Sequence, residues 1–272
     1  MAVILEGGCR VSDMREGEPL TEGTLRIWNH VSQATGAQAI SLRIMEFAPG
    51  LSAGIRNEEC DEMLYVINLT SGADTDRDEV STARVSGWIS LLIDGRKYQV
   101  HPDTGIYIRP GQTFAIDNPG PGSIIIVSSQ CPDPDRAPQF VSPLTSVTLD
   151  SETANPSPIV RLADRPAQPT ADRWYRVLVD DGIGSINATQ FVGSIPPGRA
   201  PDHFHNYEEV LFILKGRGRM WAGETNTPIA SGSCIYLPKG QVHCVENTGD
   251  DELRLLGVFY PAGSPSVRYN AL

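Results

Sequence analysis

The chain has 272 residues, 40% of them apolar and 20% charged, the balance of a globular protein long enough for two ordinary domains with a core each. With 22 basic against 33 acidic residues the net charge is −11, which argues against nucleic acid and anionic lipid as partners, because both select Lys/Arg patches. A small molecule is the expected ligand. No apolar run reaches the roughly 18 residues of a membrane span, and the stretch before Glu6 is too short for a signal-peptide core, so a cytoplasmic location is expected.

In chain order, short runs of alternating or β-branched residues predict strands at 39–47, 62–69, 87–93, 105–111 and 123–129, then at 176–180, 187–193, 209–216, 234–240 and 253–260. Glycine and proline separate them, and no segment sustains a helical apolar period, so the fold class is all-β. Residues 131–170 are proline-rich and read as a linker or an extended strap between a first domain, 1–130, and a second, 171–272. Cys9, Cys60, Cys131, Cys234 and Cys244 are odd in number and scattered, which suits neither a disulfide framework nor a zinc knuckle.

The two halves repeat each other. Residues 103–118 align without gaps on 232–247, with Ile106/Ile235, Tyr107/Tyr236, Gly111/Gly240, Gln112/Gln241 and Asn118/Asn247 identical at an offset of 129. Upstream, 36–50 matches 184–198 at an offset of 148, and Glu62 matches Glu209 at 147. The shrinking offset places an insertion of 18 residues in the first half, most simply at 71–85, a polar stretch.

Three of the five histidines fall in one pattern. His203 and His205 lie on one face of a strand because side chains alternate with period two. Glu209 follows a bend at Asn206-Tyr207, and His243 follows a turn marked by Pro238 and Gly240. Three imidazoles and one carboxylate leave a divalent ion two open positions if it is octahedral, and mixed N/O ligation suits Fe, Mn, Co, Ni, Cu or Zn alike. The first half departs from the pattern: Arg56, Glu58 and Phe114 stand where the histidines would be, and only Glu62 remains. An ion-pair cluster around Arg56 is expected there in place of a metal, leaving that half a structural role, a share in a homodimer interface, or ligand binding through Arg56.

Gly198-x4-His203-x-His205-x3-Glu209-x6-Gly216 resembles the first motif of the cupin superfamily, one residue short in its opening gap. Gly232-x5-Pro238-x-Gly240-x2-His243-x3-Asn247 is similar to the second motif at every spacing. The resemblance implies a bicupin of two tandem jelly-roll β-barrels, with one divalent metal per chain held in the second by His203, His205, Glu209 and His243. Alternation adds Leu211 and Ile213 beside Glu209, and Gln241 and Val245 beside His243, as candidates to line a substrate pocket. The resemblance also implies several chemistries. The reading favoured at this level is a dioxygenase, an oxidoreductase acting on a small oxygen-rich substrate. The alternatives are an isomerase, lyase or hydrolase using the metal as a Lewis acid, and a ligand-binding module without catalysis.

Overall fold

The structure is a computed structural model that describes residues 1–67, 88–143, 148–149 and 156–266. The insertion expected at 71–85 lies outside the described residues. Each half is two sheets packed face to face. In the first half a seven-stranded sheet runs in the order Ile159–Arg161, Thr104–Ile108, Asp61–Val66, Ile124–Cys131, Leu42–Phe47, Leu25–Val31 and Leu20–Glu22. Opposite it lies a sheet built on Gly54–Arg56, Thr113–Asn118, Ile89–Ile93 and Arg96–Val100. In the second half an eight-stranded sheet centred on Ser233–Leu237, Glu208–Lys215, Leu253–Tyr260 and Thr189–Ile195 faces a four-stranded one made of Gly198–Arg199, His243–Asn247, Arg217–Ala222 and Thr225–Ala230. Pairing among the described strands is antiparallel except between Arg96–Val100 and Thr148–Leu149. This is an all-β architecture of jelly-roll kind.

Alternation explains the two inner cores. Ile27, Met45, Leu64, Ile106 and Ile126 from one sheet meet Ile55, Leu91, Phe114 and Ile116 from the other. In the second half Phe191, Leu211, Ile213, Ile235 and Leu255 meet Met220, Ala222 and Val245. A third core lies between the halves, where Ile44, Tyr65 and Val127 pack on Val192, Val210, Phe212 and Leu256. The large sheets are therefore covered on both faces, and their central strands Asp61–Val66, Ile124–Cys131 and Thr189–Ile195 are buried throughout. Double coverage buries their polar residues too, among them Asp61, Glu62, Ser128, Gln130 and Gln190, together with the apolar ones.

A strand from outside each half also caps one of its edges. Arg10–Asp13, near the start of the chain, pairs with Ser233–Leu237 of the second half, with Val11 opposite Ile235. Ile159–Arg161 pairs with Thr104–Ile108 of the first half, with Val160 opposite Gly105. Thr104–Ile108 and Ser233–Leu237 are counterparts in the repeat, so the same edge is capped in both halves, in the second by a strand of the first half and in the first by a strand of the joining segment 131–170, which hides backbone groups that an open sheet would expose. Among the described residues no helix is long and apolar enough to cross a membrane.

Candidate metal centre

Backbone pairing brings the distant histidines together. His203 N donates to His243 O at 3.1 Å and His243 N returns the bond to His203 O at 2.8 Å, a two-residue bridge across a sequence gap of forty positions. Gly240, with φ of 79°, takes the left-handed conformation that the turn into His243 needs, and its N–H donates to His205 O at 2.8 Å. The nitrogens that His203, His205 and His243 offer lie within 4.8 Å of one another. Around an ion at about 2.1 Å from each nitrogen, adjacent ligands stand about 3.0 Å apart and opposed ones about 4.2 Å, so the group binds by closing in on the ion.

The imidazoles are set as ligands. Nδ1 of His203 donates to Pro201 O at 3.0 Å and Nδ1 of His243 to Gln241 O at 2.8 Å. A carbonyl only accepts, so each Nδ1 carries the proton and each Nε2 keeps its lone pair for a metal. The His205 ring is stacked on Tyr207, with centroids 4.6 Å apart and planes 8° from parallel, and Tyr207 stacks in turn on Phe259 at 4.4 Å. Burial, with a smaller contribution from His203, lowers the His243 pKa to about 4, so the ring is neutral at pH 7.

Glu209 begins on the strand Glu208–Lys215 and is 5% exposed, with Oε2 3.6 Å from His205 Nε2. Burial pushes its carboxyl up to about 8. A carboxylate so placed is ionised readily only beside a cation, and neutral imidazoles with such a group suit a divalent ion. The residues present fit a metal. The compact group is the three histidines, with Glu209 at its margin.

The group forms the floor of a cavity of ≈ 100 Å³ whose walls include Arg173, Tyr175, Phe191, Leu211, Val245 and Leu255. Of the four pocket candidates from alternation, Leu211 and Val245 line this cavity. Ile213 is fully buried in the core behind it, and the Gln241 side chain turns toward Gly7 and the Val242 carbonyl. Sequence reasoning missed the walls formed by Arg173, Tyr175, Phe191 and Leu255, and the ring of Tyr207 against His205. Tyr207 continues the period-two series His203, His205, and that signal could have found it. Arg173 left none, because only the pairing of Arg173–Val179 with Thr189–Ile195 brings it to the cavity.

In the first half the expected cluster around Arg56 is divided. Arg56 pairs with Glu58 at 3.3 Å on the surface, where Arg136 also reaches Glu58 and Glu59. Phe114 fills the inner core. Glu62 is fully buried and accepts from Arg43 Nη2 at 2.5 Å, Ser128 Oγ at 2.7 Å and Gln130 Nε2 at 3.3 Å. Arg56 ends the strand Gly54–Arg56, paired between Gln139–Val141 and Thr113–Asn118, and its side chain is exposed, so the guanidinium that meets Glu62 comes from elsewhere.

A family model described as a cupin domain matches residues 191–259, a span that contains all four motif residues. An uncharacterized protein of Aquifex aeolicus is 33% identical over 85 residues, covering 30% of this chain and 69% of that protein. The chain belongs to the cupin superfamily.

Other relatives match shorter stretches of the cupin. An oxalate-binding protein of Thermotoga maritima is 35% identical over 66 residues, covering 24% of this chain and 54% of that protein. Auxin-binding protein 1 of Arabidopsis thaliana is 36% identical over 70 residues, and the match spans 35% of its length. Among solved structures, a deletion mutant of Bacillus subtilis oxalate decarboxylase superposes with a TM-score of 0.68 at 14% identity, over 92% of this chain and 76% of that one. A structure of the same enzyme described by its Mn(II) centres gives 0.69, again at 14% identity. At that identity the likeness concerns the fold, and it extends across both halves of this cupin. These matches overturn the expected oxidoreductase of dioxygenase type: the solved enzymes are decarboxylases, whose reaction is lyase chemistry. The error had a physical source, since ligand type constrains neither the metal nor the reaction.

Proposed function

We propose that this chain is a bicupin metalloenzyme of the lyase kind that decarboxylates a small carboxylic acid such as oxalate. In this reading residues 1–130 and 171–272 form two jelly-roll barrels joined by 131–170, and His203, His205, Glu209 and His243 hold one divalent ion in the second. The observation that carries it is the presence of Arg173 in the same small cavity as the three imidazoles. The Arg173 side chain is 10% exposed and donates from Nε to Asp172 at 2.9 Å, a bond that uses one of the five donors a guanidinium has. A cation at the floor and a planar fork on the wall suit an acid with two oxygen-bearing ends.

When bound, a divalent ion supplies Lewis-acid stabilisation to charge that develops on the acid as its C–C bond breaks. Arg173 holds the second carboxylate. Phe191, Leu211, Val245 and Leu255 keep water from the reacting carbon, which strengthens both electrostatic contacts. The Thermotoga oxalate-binding protein and the fold shared with oxalate decarboxylase support this choice of substrate class. The test is purified protein loaded in turn with Mn(II), Fe(II), Co(II) and Zn(II) and given oxalate and other small diacids and keto acids. Oxalate should yield CO2 and formate in equal amounts. Binding of oxalate without turnover under every metal would favour the second reading, a carboxylate-binding module, to which the name of the Thermotoga relative also points. Neither binding nor turnover with any acid would end both.

A further inference from the structure

The contact between the halves is built twice by the repeat, and one of its two copies adjoins a proposed metal ligand. In the first half Tyr107 Oη donates to Asp61 Oδ1 at 2.5 Å and lies 3.2 Å from Gly184 O. In the second half Tyr236 Oη donates to Glu208 Oε1 and lies 3.4 Å from Gly36 O. Tyr107 and Tyr236 are repeat counterparts, as are Gly36 and Gly184, and Asp61 and Glu208 directly precede the counterparts Glu62 and Glu209. Each acid also binds the loop of the opposite half. Glu208 accepts from Gln38 N at 2.8 Å and Ala39 N at 2.6 Å, and Asp61 accepts from Asn187 Nδ2 at 2.8 Å.

The copies differ in what lies behind them. Glu62, next to Asp61, has its charge met inside its own half by Arg43. Glu209, next to Glu208, stands at the three imidazoles. Side chains alternate on Glu208–Lys215, so Glu208, Val210 and Phe212 face the other half, where Val210 and Phe212 join the interdomain core. Glu209, Leu211 and Ile213 face inward, and Leu211 and Ile213 belong to the inner core. Two backbone N–H groups of the first half and one phenol thus grip the carboxylate of Glu208 and fix the backbone from which Glu209 projects the opposite way. A carboxylate held by three donors is well anchored, because each bond to a charged acceptor is about twice as strong as a neutral one.

We propose that Glu208 is a positioning residue for the metal centre: the first half, through the amides of Gln38 and Ala39, together with Tyr236, sets the place of the Glu209 carboxylate against His203, His205 and His243. The half that has lost its own ligand set is in this way a working part of the site in the other half. The inference rests on the reading of Glu209 as a ligand.

The experiment titrates Co(II) into the full chain in competition with a chelator and records the visible absorption band of the bound ion, alongside the urea unfolding midpoint. Tyr236→Phe removes one oxygen and keeps the ring. Tyr107→Phe makes the same cut in the other copy. Tyr236→Phe and Glu208→Gln should each weaken Co(II) binding by about 10-fold or more, the usual loss when a partner behind the ligands is removed, and should shift the band. Tyr107→Phe should leave affinity and band unchanged even if its unfolding midpoint falls. Equal Co(II) affinities and spectra for Tyr236→Phe and Tyr107→Phe would overturn the proposal, because the contact would then serve stability alone. Glu209→Gln is the separate arm. If it binds Co(II) as the unsubstituted chain does, the ligand reading fails and this inference with it; if it weakens binding while Tyr236→Phe and Glu208→Gln do not, only the inference fails.

Discussion

Arg43 donates to Glu62 at 2.5 Å with both side chains buried, at 6% and 0% exposure, in the half of the molecule whose three histidine positions hold other residues. Glu62 is the counterpart of Glu209, and Arg43, at the offset of 148, is the counterpart of Phe191 in the cavity wall. One carboxylate has an internal cation, and its twin is arranged for an external one.

Arg43→Met should therefore be costly. It leaves Glu62 buried beside Ser128 and Gln130 with no countercharge, and breaking a buried pair from one side costs about 3–5 kcal/mol. Urea unfolding should show the loss. The double variant Arg43→Met with Glu62→Leu should recover most of it, because two apolar groups replace the pair; a double variant as unstable as the single one would mean that packing rather than charge is at stake.

Metal analysis of the purified chain should find one divalent ion per molecule. His243→Ala and His205→Ala should each abolish it, whereas Arg56→Ala, Glu58→Ala and Phe114→Leu should not change the stoichiometry. Chelation should lower stability by an amount that grows with free metal, about 4 kcal/mol at a thousandfold excess over Kd, read as a fall in the thermal midpoint.

Replacing Arg173 by Gln separates metal from substrate. The donor set is untouched, so metal content should stay at one per chain. Affinity for oxalate should fall by roughly 10-fold or more, since a charge-assisted bond is worth about 1.5–3 kcal/mol. An unchanged oxalate affinity would remove Arg173 from the site.

Acid should loosen the N-terminal arm. His30 is 3% exposed; its Nε2 donates to Met14 O at 3.0 Å and its Nδ1, left to accept, lies 3.0 Å from Ser12 Oγ. Burial lowers its pKa below the ordinary 6.5, against the raising effects of the Met14 bond, Glu16 and Asp13, with Arg10 assisting the lowering. Between the lowered value and 6.5 the unfolded chain binds more protons than the folded one, so stability rises with pH there. This contribution is complete above 6.5 and is lost as pH falls through the window. His30→Gln should flatten that part of the profile of unfolding midpoint against pH.

Local features were legible without coordinates. The period of two, the turn at Pro238 and Gly240, the repeat and the spacing of His203, His205, Glu209 and His243 all follow from how a strand presents side chains and how a turn redirects it. The cupin likeness followed from those spacings. Arg43, by contrast, meets Glu62 only because Leu42–Phe47 and Asp61–Val66 both pair with Ile124–Cys131. Arg173 reaches the cavity by sheet order, and Glu208 binds Gln38 and Ala39 only after the halves dock. The dioxygenase reading failed for a related reason, since four ligands specify an ion's surroundings without specifying what the cavity admits beside it. The sequence by itself determined which residues share a strand face and a repeat position. The tertiary structure alone decided which of them meet across strands and halves, because those contacts depend on register and docking, which are set by burial of the whole apolar surface rather than by any local run.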